Sequence, residues 1–91
     1  MVKTLSGTVH GRVQGVGFRY FTKNKALELG IRGWVRNNVD GSVEFQAQGN
    51  EMALEQFMHS LMMGPIGSRV ESTQFQWSQE SEEHSQFEIR G

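Results

Sequence analysis

Hydrophobic spacing switches period along this chain, and the order of the switches limits the folds open to it. Residues 3–10 alternate, with Leu5, Gly7 and Val9 on one side and Thr4, Ser6, Thr8 and His10 on the other. A period of two describes a strand with one buried face. Residues 18–29 change to helical spacing, with Phe18, Thr22, Ala26 and Leu29 on one stripe and Phe21 at its rim. The stripe is imperfect, since Lys25 sits close to it and Leu27 points away. Gly30 is a stop signal. Residues 31–37 (IRGWVRN) return to strand character, and Asp40-Gly41 within residues 38–41 marks a hairpin turn. Val43, Phe45 and Ala47 then alternate through residues 42–48. Asn50 suits a helix N-cap. Ala53, Leu54, Phe57, Met58, Leu61 and Met62 follow at helical spacing, and Gly64-Pro65 ends the run. Residues 70–77 and 84–90 are strands again, the latter with Ser85, Phe87 and Ile89 on one face. Val70 is out of phase with Thr73, Phe75 and Trp77, which predicts a bulge near Ser72. The polar run at residues 78–85 (SQESEEHS) reads as a hairpin turn between the two.

The order β-α-β-β-α-β is that of an α+β, ferredoxin-like split βαβ sandwich: one antiparallel sheet of four to five strands with two helices on one face. The 91 residues fit one domain over positions 1–91 and leave no room for a separate cofactor domain. The fold hosts many functions and chooses none.

Composition narrows the classes. Net charge is −1, from nine Lys and Arg against ten Asp and Glu. That balance argues against a generic nucleic-acid or anionic-membrane binder. It leaves room for one local cationic site. Cysteine is absent, which excludes disulfide scaffolds, thiol nucleophiles and cysteine metal sites and favours a reducing compartment. The N-terminus carries no apolar stretch of signal-peptide length, and no window reaches membrane-span length. The expectation is a cytoplasmic monomer.

Gly11, Gly15 and Gly17 fall in one turn, GRVQGVG, between a strand and a helix. Such a turn aims several backbone N–H groups at one point, where the positive end of the helix dipole also points. Arg19, in the first helical turn, can offer a forked guanidinium to phosphate oxygens. The turn matches neither GxxxxGK[ST] nor GxGxxG. A tight connection with a solvated Arg19 explains the same residues on physics alone.

The motifs are more specific than the physics. GRVQGVGFR at residues 11–19 and GWVRN at 33–37, followed by DGSV at 40–43, resemble the signatures of the acylphosphatase family. SRVESTQF at residues 68–75 and FEIR at 87–90 are similar to it as well, so the resemblance covers nearly the whole chain. It implies hydrolysis of the carboxyl–phosphate anhydride of small acyl phosphates to a carboxylate and inorganic phosphate, without metal, cofactor or phosphoenzyme. It further implies that backbone N–H groups of Gln14, Gly15, Val16, Gly17 and Phe18 cradle the phosphate. Arg19 would bind the phosphoryl oxygens and Asn37 would orient the attacking water. Gly17 takes no separate role, and Asn38, on the opposite face of its strand, could not simply replace Asn37. A carboxylate leaving group removes the need for a strong general acid, and phosphoryl transfer is catalysed mainly by positioning and charge.

Other residues carry blander readings. His10, His59 and His84 are scattered without metal-ligand spacing, and Glu80, Glu82 and Glu83 read as a solvated turn. Among Met52, Met58, Met62 and Met63, Met58 and Met62 suit core filling. Trp34 and Trp77 suit packing, and Arg12 a solvent-facing or edge position. An RNA-recognition module would need aromatics on the third strand, where SVEFQAQG has one. A non-catalytic anion-binding regulatory or interaction module is the alternative reading. A third is a domain of a larger carbamoyl-phosphate-processing protein, against which a chain ending at Gly91 favours a stand-alone enzyme.

Overall fold

The computed structural model describes residues 2–79 and 83–91. Its elements run β1 (Lys3–Arg12), α1 (Phe18–Leu29), β2 (Arg32–Asn37), β3 (Val43–Gly49), α2 (Glu51–Met63), β4 (Arg69–Ser78) and β5 (Phe87–Arg90). The strands form one sheet in the order β4-β1-β3-β2-β5. Sheet pairing puts Leu5 opposite Ala47 and Trp77, Val9 opposite Val43, and Val35 opposite Phe45. Leu5, Val9, Val43, Phe45, Ala47 and Val35 are all buried. Alternation thus gives the sheet one apolar face, on which the helices lie. The other face is polar.

α1 buries Phe18, Thr22 and Ala26, and α2 buries Leu54, Phe57 and Leu61. Phe45 is central, with Phe57 edge-on at 5.5 Å and Phe75 tilted at 5.8 Å between ring centroids. Asn50 caps α2, its side chain accepting from the Ala53 amide at 2.8 Å. Gly30 ends α1 in a left-handed conformation, with its N–H turned back to the Ala26 and Leu27 carbonyls. The β1–β4 register shifts between His10, opposite Ser72, and Gly11, opposite Val70. The phase switch noted at Val70 is this bulge.

Three expectations need correction. β4 and β5 occupy opposite edges of the sheet, so residues 78–85 are not a hairpin. Ahead of β5, His84 lies on the polar face, where its amide donates to Gln48 Oε1 at 2.9 Å and its ring meets Gln46 Oε1 at 2.7 Å. Second, the sheet is not wholly antiparallel, because β5 runs parallel to β2. A hairpin would have forced antiparallel pairing; a crossing connection carries no such constraint. The solvated-turn reading of Glu80 and Glu82 lies outside the described residues. Third, Met62 is 47% exposed, while Met58 packs against the core. Met62 sits one residue past Leu61, about 100° round the helix from the buried stripe.

Candidate active site

β1 and α1 are joined by residues 13–17 at one end of the sheet. Gly15 and Gly17 both adopt left-handed backbone, with φ of 75° and 77°. A Cβ on either would meet nothing within 4 Å. The demand there is therefore conformational and not spatial. Gly17 is the N-cap of α1, with no side-chain cap and no acidic residue in the first turn. The Phe21 amide bonds the Gly17 carbonyl at 3.0 Å. The N–H groups of Phe18, Arg19 and Tyr20 precede it and have no intrahelical acceptor. Arg19 stands among them half-exposed, and none of the ion pairs among the described residues involves it.

Asn37 closes β2. It shares a strand face with Val35, which is fully buried. Two residues further on, that face reaches the edge of the core beside the start of α1. The Asn37 side-chain oxygen is buried and has no hydrogen-bond partner among the described residues. Such an acceptor costs about 1–3 kcal/mol when nothing occupies it.

A cleft of about 180 Å3 brings these groups together. Gln14, Gly15, Gly17, Phe18, Arg19 and Asn37 line it, with buried Val13 and exposed Tyr20 completing the wall. Val16 is absent from that lining, and its side chain packs on the core. A wider depression of about 700 Å3 lies over β1 and β4, lined by Ser6, Thr8, Glu44, Gln74 and Gln76 among others. It holds no cationic side chain and no residue of GRVQGVGFR or GWVRN, so the smaller cleft is the candidate site. No group of three or more His, Cys, Asp and Glu able to hold a metal gathers among the described residues.

A network that the motifs do not announce braces the cleft. Gln14 Nε2 donates to the carbonyls of Asn38, at 2.8 Å, and Ser42, at 2.9 Å. Asn38 Nδ2 donates to Ser42 Oγ at 3.0 Å, and Ser42 Oγ donates to Asp40 Oδ1 at 2.6 Å. The Ser42 hydroxyl and amide both donate to Asp40 and hold its carboxyl below its ordinary value of 3.8, with His10 adding a weaker electrostatic pull. Partners 24 and 28 residues from Gln14 are backbone carbonyls, so no residue pattern in the sequence signals them.

The acylphosphatase family model matches residues 5–89. The chain belongs to the acylphosphatase family. An acylphosphatase of Salinibacter ruber is 43% identical over 97% of this chain and 93% of its own. One from Thermus thermophilus is 51% identical over 85% of this chain and 88% of its own. The crystal structure of the Bacillus subtilis acylphosphatase superposes with a TM-score of 0.95 at 40% identity, covering 100% of both chains. These acylphosphatases support an acyl-phosphate hydrolase over the non-catalytic module.

Proposed function

We propose that this chain, as a single acylphosphatase domain over residues 1–91, hydrolyses small acyl phosphates by direct attack of water, without metal, cofactor or phosphoenzyme. What carries the reading is the meeting of Arg19, Asn37 and the unpaired amides at the start of α1 on one small cleft. The amides of residues 14–18 and the guanidinium of Arg19 take the phosphoryl oxygens, where the helix dipole adds to the attraction. The unpartnered Asn37 oxygen accepts a hydrogen bond from water and aims it at phosphorus. As the water oxygen bonds to phosphorus, the bond to the acyl oxygen breaks. Its electron pair leaves on the carboxylate, and the water's proton passes to a phosphate oxygen.

The substrate's own phosphate is then base enough, because the carboxylate departs without an acid. Inorganic phosphate leaves as product and competes for the same cleft. The reading places the protein in the cytoplasm as a monomer that needs neither nucleic acid nor membrane. No helix among the described residues is long and apolar enough to cross a membrane.

The test is benzoyl phosphate hydrolysis with EDTA present, in wild type, Arg19→Ala and Asn37→Ala. Arg19→Ala should weaken binding about 10–100-fold, the loss of a charge-assisted hydrogen bond of about 1.5–3 kcal/mol. Asn37→Ala should lower kcat about 100-fold with KM little changed, as expected for a misplaced nucleophile. Folded wild type that binds phosphate yet shows no hydrolysis would favour the anion-binding module instead.

A further inference from the structure

We propose that Gln14 is a positioning residue: its side-chain amide locks the anion loop to the hairpin that carries Asn37, and so sets the distance from the held phosphoryl group to the attacking water. The inference rests on the hydrolytic reading above.

The side chain of Gln14 reaches out of the loop to a different part of the chain. Both hydrogens of its amide are committed, one to the Asn38 carbonyl and one to the Ser42 carbonyl. These two carbonyls face each other across the neck of the turn between β2 and β3. The neck is closed by the Asn38 amide donating to the Ser42 carbonyl at 2.8 Å, while the Gly41 amide donates to the Asn38 carbonyl at 3.2 Å. Each carbonyl therefore takes two donors, one from the turn and one from Gln14.

The turn is itself stiff, because Asn38, Ser42 and Asp40 are hydrogen-bonded in series. Pinned at two points, a stiff turn moves as one body with the loop. Asn37 immediately precedes Asn38, so its side chain inherits that placement. The backbone of Gln14, meanwhile, opens the segment that meets the phosphate. One residue thus spans both halves of the site. The amide is planar, and its two hydrogens diverge at a fixed angle, so one group serves two carbonyls; a hydroxyl in its place has one hydrogen to donate and a carboxylate none. Asparagine is one methylene shorter and falls short of both. Misplacement of a nucleophile by about 1 Å costs on the order of 100-fold in rate.

Gln14→Leu and Gln14→Asn remove the clamp with the loop glycines untouched. The measurements are kcat and KM for benzoyl phosphate, the inhibition constant of inorganic phosphate, and the urea midpoint. All are repeated in an Asn37→Ala background. We expect kcat to fall 10- to 100-fold while phosphate inhibition changes less than about threefold. In the Asn37→Ala background the same change should cost less than twofold, because the group being positioned is gone.

Folded variants with kcat within twofold of wild type overturn the proposal. So does an equal loss in both backgrounds, which would mean that Gln14 acts independently of Asn37. A fall in phosphate affinity matching the fall in kcat overturns it too, since the loop itself would have failed. If Gln14→Leu does not fold, Gln14→Asn decides by the same criteria. Inactive wild type removes the hydrolytic reading and this role together; active wild type with unaffected variants removes this role alone.

Discussion

Gly15→Ala tests whether backbone conformation, and not space, is what the loop requires. The φ of Gly15 is 75°, and an added Cβ would meet nothing within 4 Å. No clash contributes, so the cost is that of a left-handed L-residue, about 1–2 kcal/mol. Against this, alanine stiffens the unfolded chain and returns about 0.4–1 kcal/mol. The net loss is therefore about 0.5–1.5 kcal/mol, or several degrees in Tm at about 4–8 °C per kcal/mol for a domain of this size. Urea unfolding with the m-value monitored measures it. Gly15→Asn tolerates the left-handed region better and should fall between glycine and alanine. Phosphate affinity should follow the same order, because a loop that relaxes out of the left-handed region no longer aims its amides together. An alanine variant as stable as wild type, with unaltered phosphate binding, would refute the conformational argument.

Two further outcomes follow from other parts of the structure. Gly7→Ala should destabilise by about 1–3 kcal/mol through overpacking, since its Cβ would lie 2.5 Å from Phe75 Cδ1, 2.7 Å from the Gln74 carbonyl oxygen and 2.9 Å from Phe45 Cε1; kcat of the folded fraction should be unchanged, as Gly7 is not on the cleft. The Asp40 carboxyl is held below 3.8 by its bonds from Ser42, so it adds stability above that pH and loses it as pH falls through its lowered value; Asp40→Asn should flatten the acid limb of a stability-versus-pH curve below pH 3.8, and an unchanged limb would refute the linkage.

Local signals carried far, and neighbour choice did not. The span of α1, the Asn50 cap and the bulge at Ser72 were legible because each depends on residues within a turn or two of one another. So was the pairing of β2 with β3, through Asp40-Gly41. Alternation in residues 84–90 marks a strand, of which only Phe87–Arg90 forms, with Ser85 exposed ahead of it, and it says nothing of the strand's partner. β5 adds to the far edge, beside β2, because Phe87 packs edge-on against Phe57 at 6.0 Å between ring centroids. The glycine turn, Arg19 and Asn37 were legible as motifs, and their convergence needed the fold. Gln14 was legible as a loop residue only; its side chain answers carbonyls that every sequence possesses.

Arg19 also carries a cost of its own, and it yields a last prediction. Arg19 sits at the positive end of α1, which disfavours a cation by about 0.3–1 kcal/mol. Removing the charge while keeping the stem, as in Arg19→Gln, should therefore raise the stability of ligand-free protein by a few tenths of a kcal/mol or more. Both residues are comparable helix formers, so propensity does not confound the comparison. Phosphate should reverse the order. Wild type gains RT ln(1 + [phosphate]/Kd), about 2.7 kcal/mol at one hundred times Kd, while a variant that binds about 10–100-fold more weakly gains only about 0.4–1.4 kcal/mol at that concentration. Denaturation of both proteins with and without phosphate measures the crossing. Were Arg19→Gln less stable than wild type without ligand, Arg19 would be holding the fold together, and its place at the helix start would need no anion to account for it.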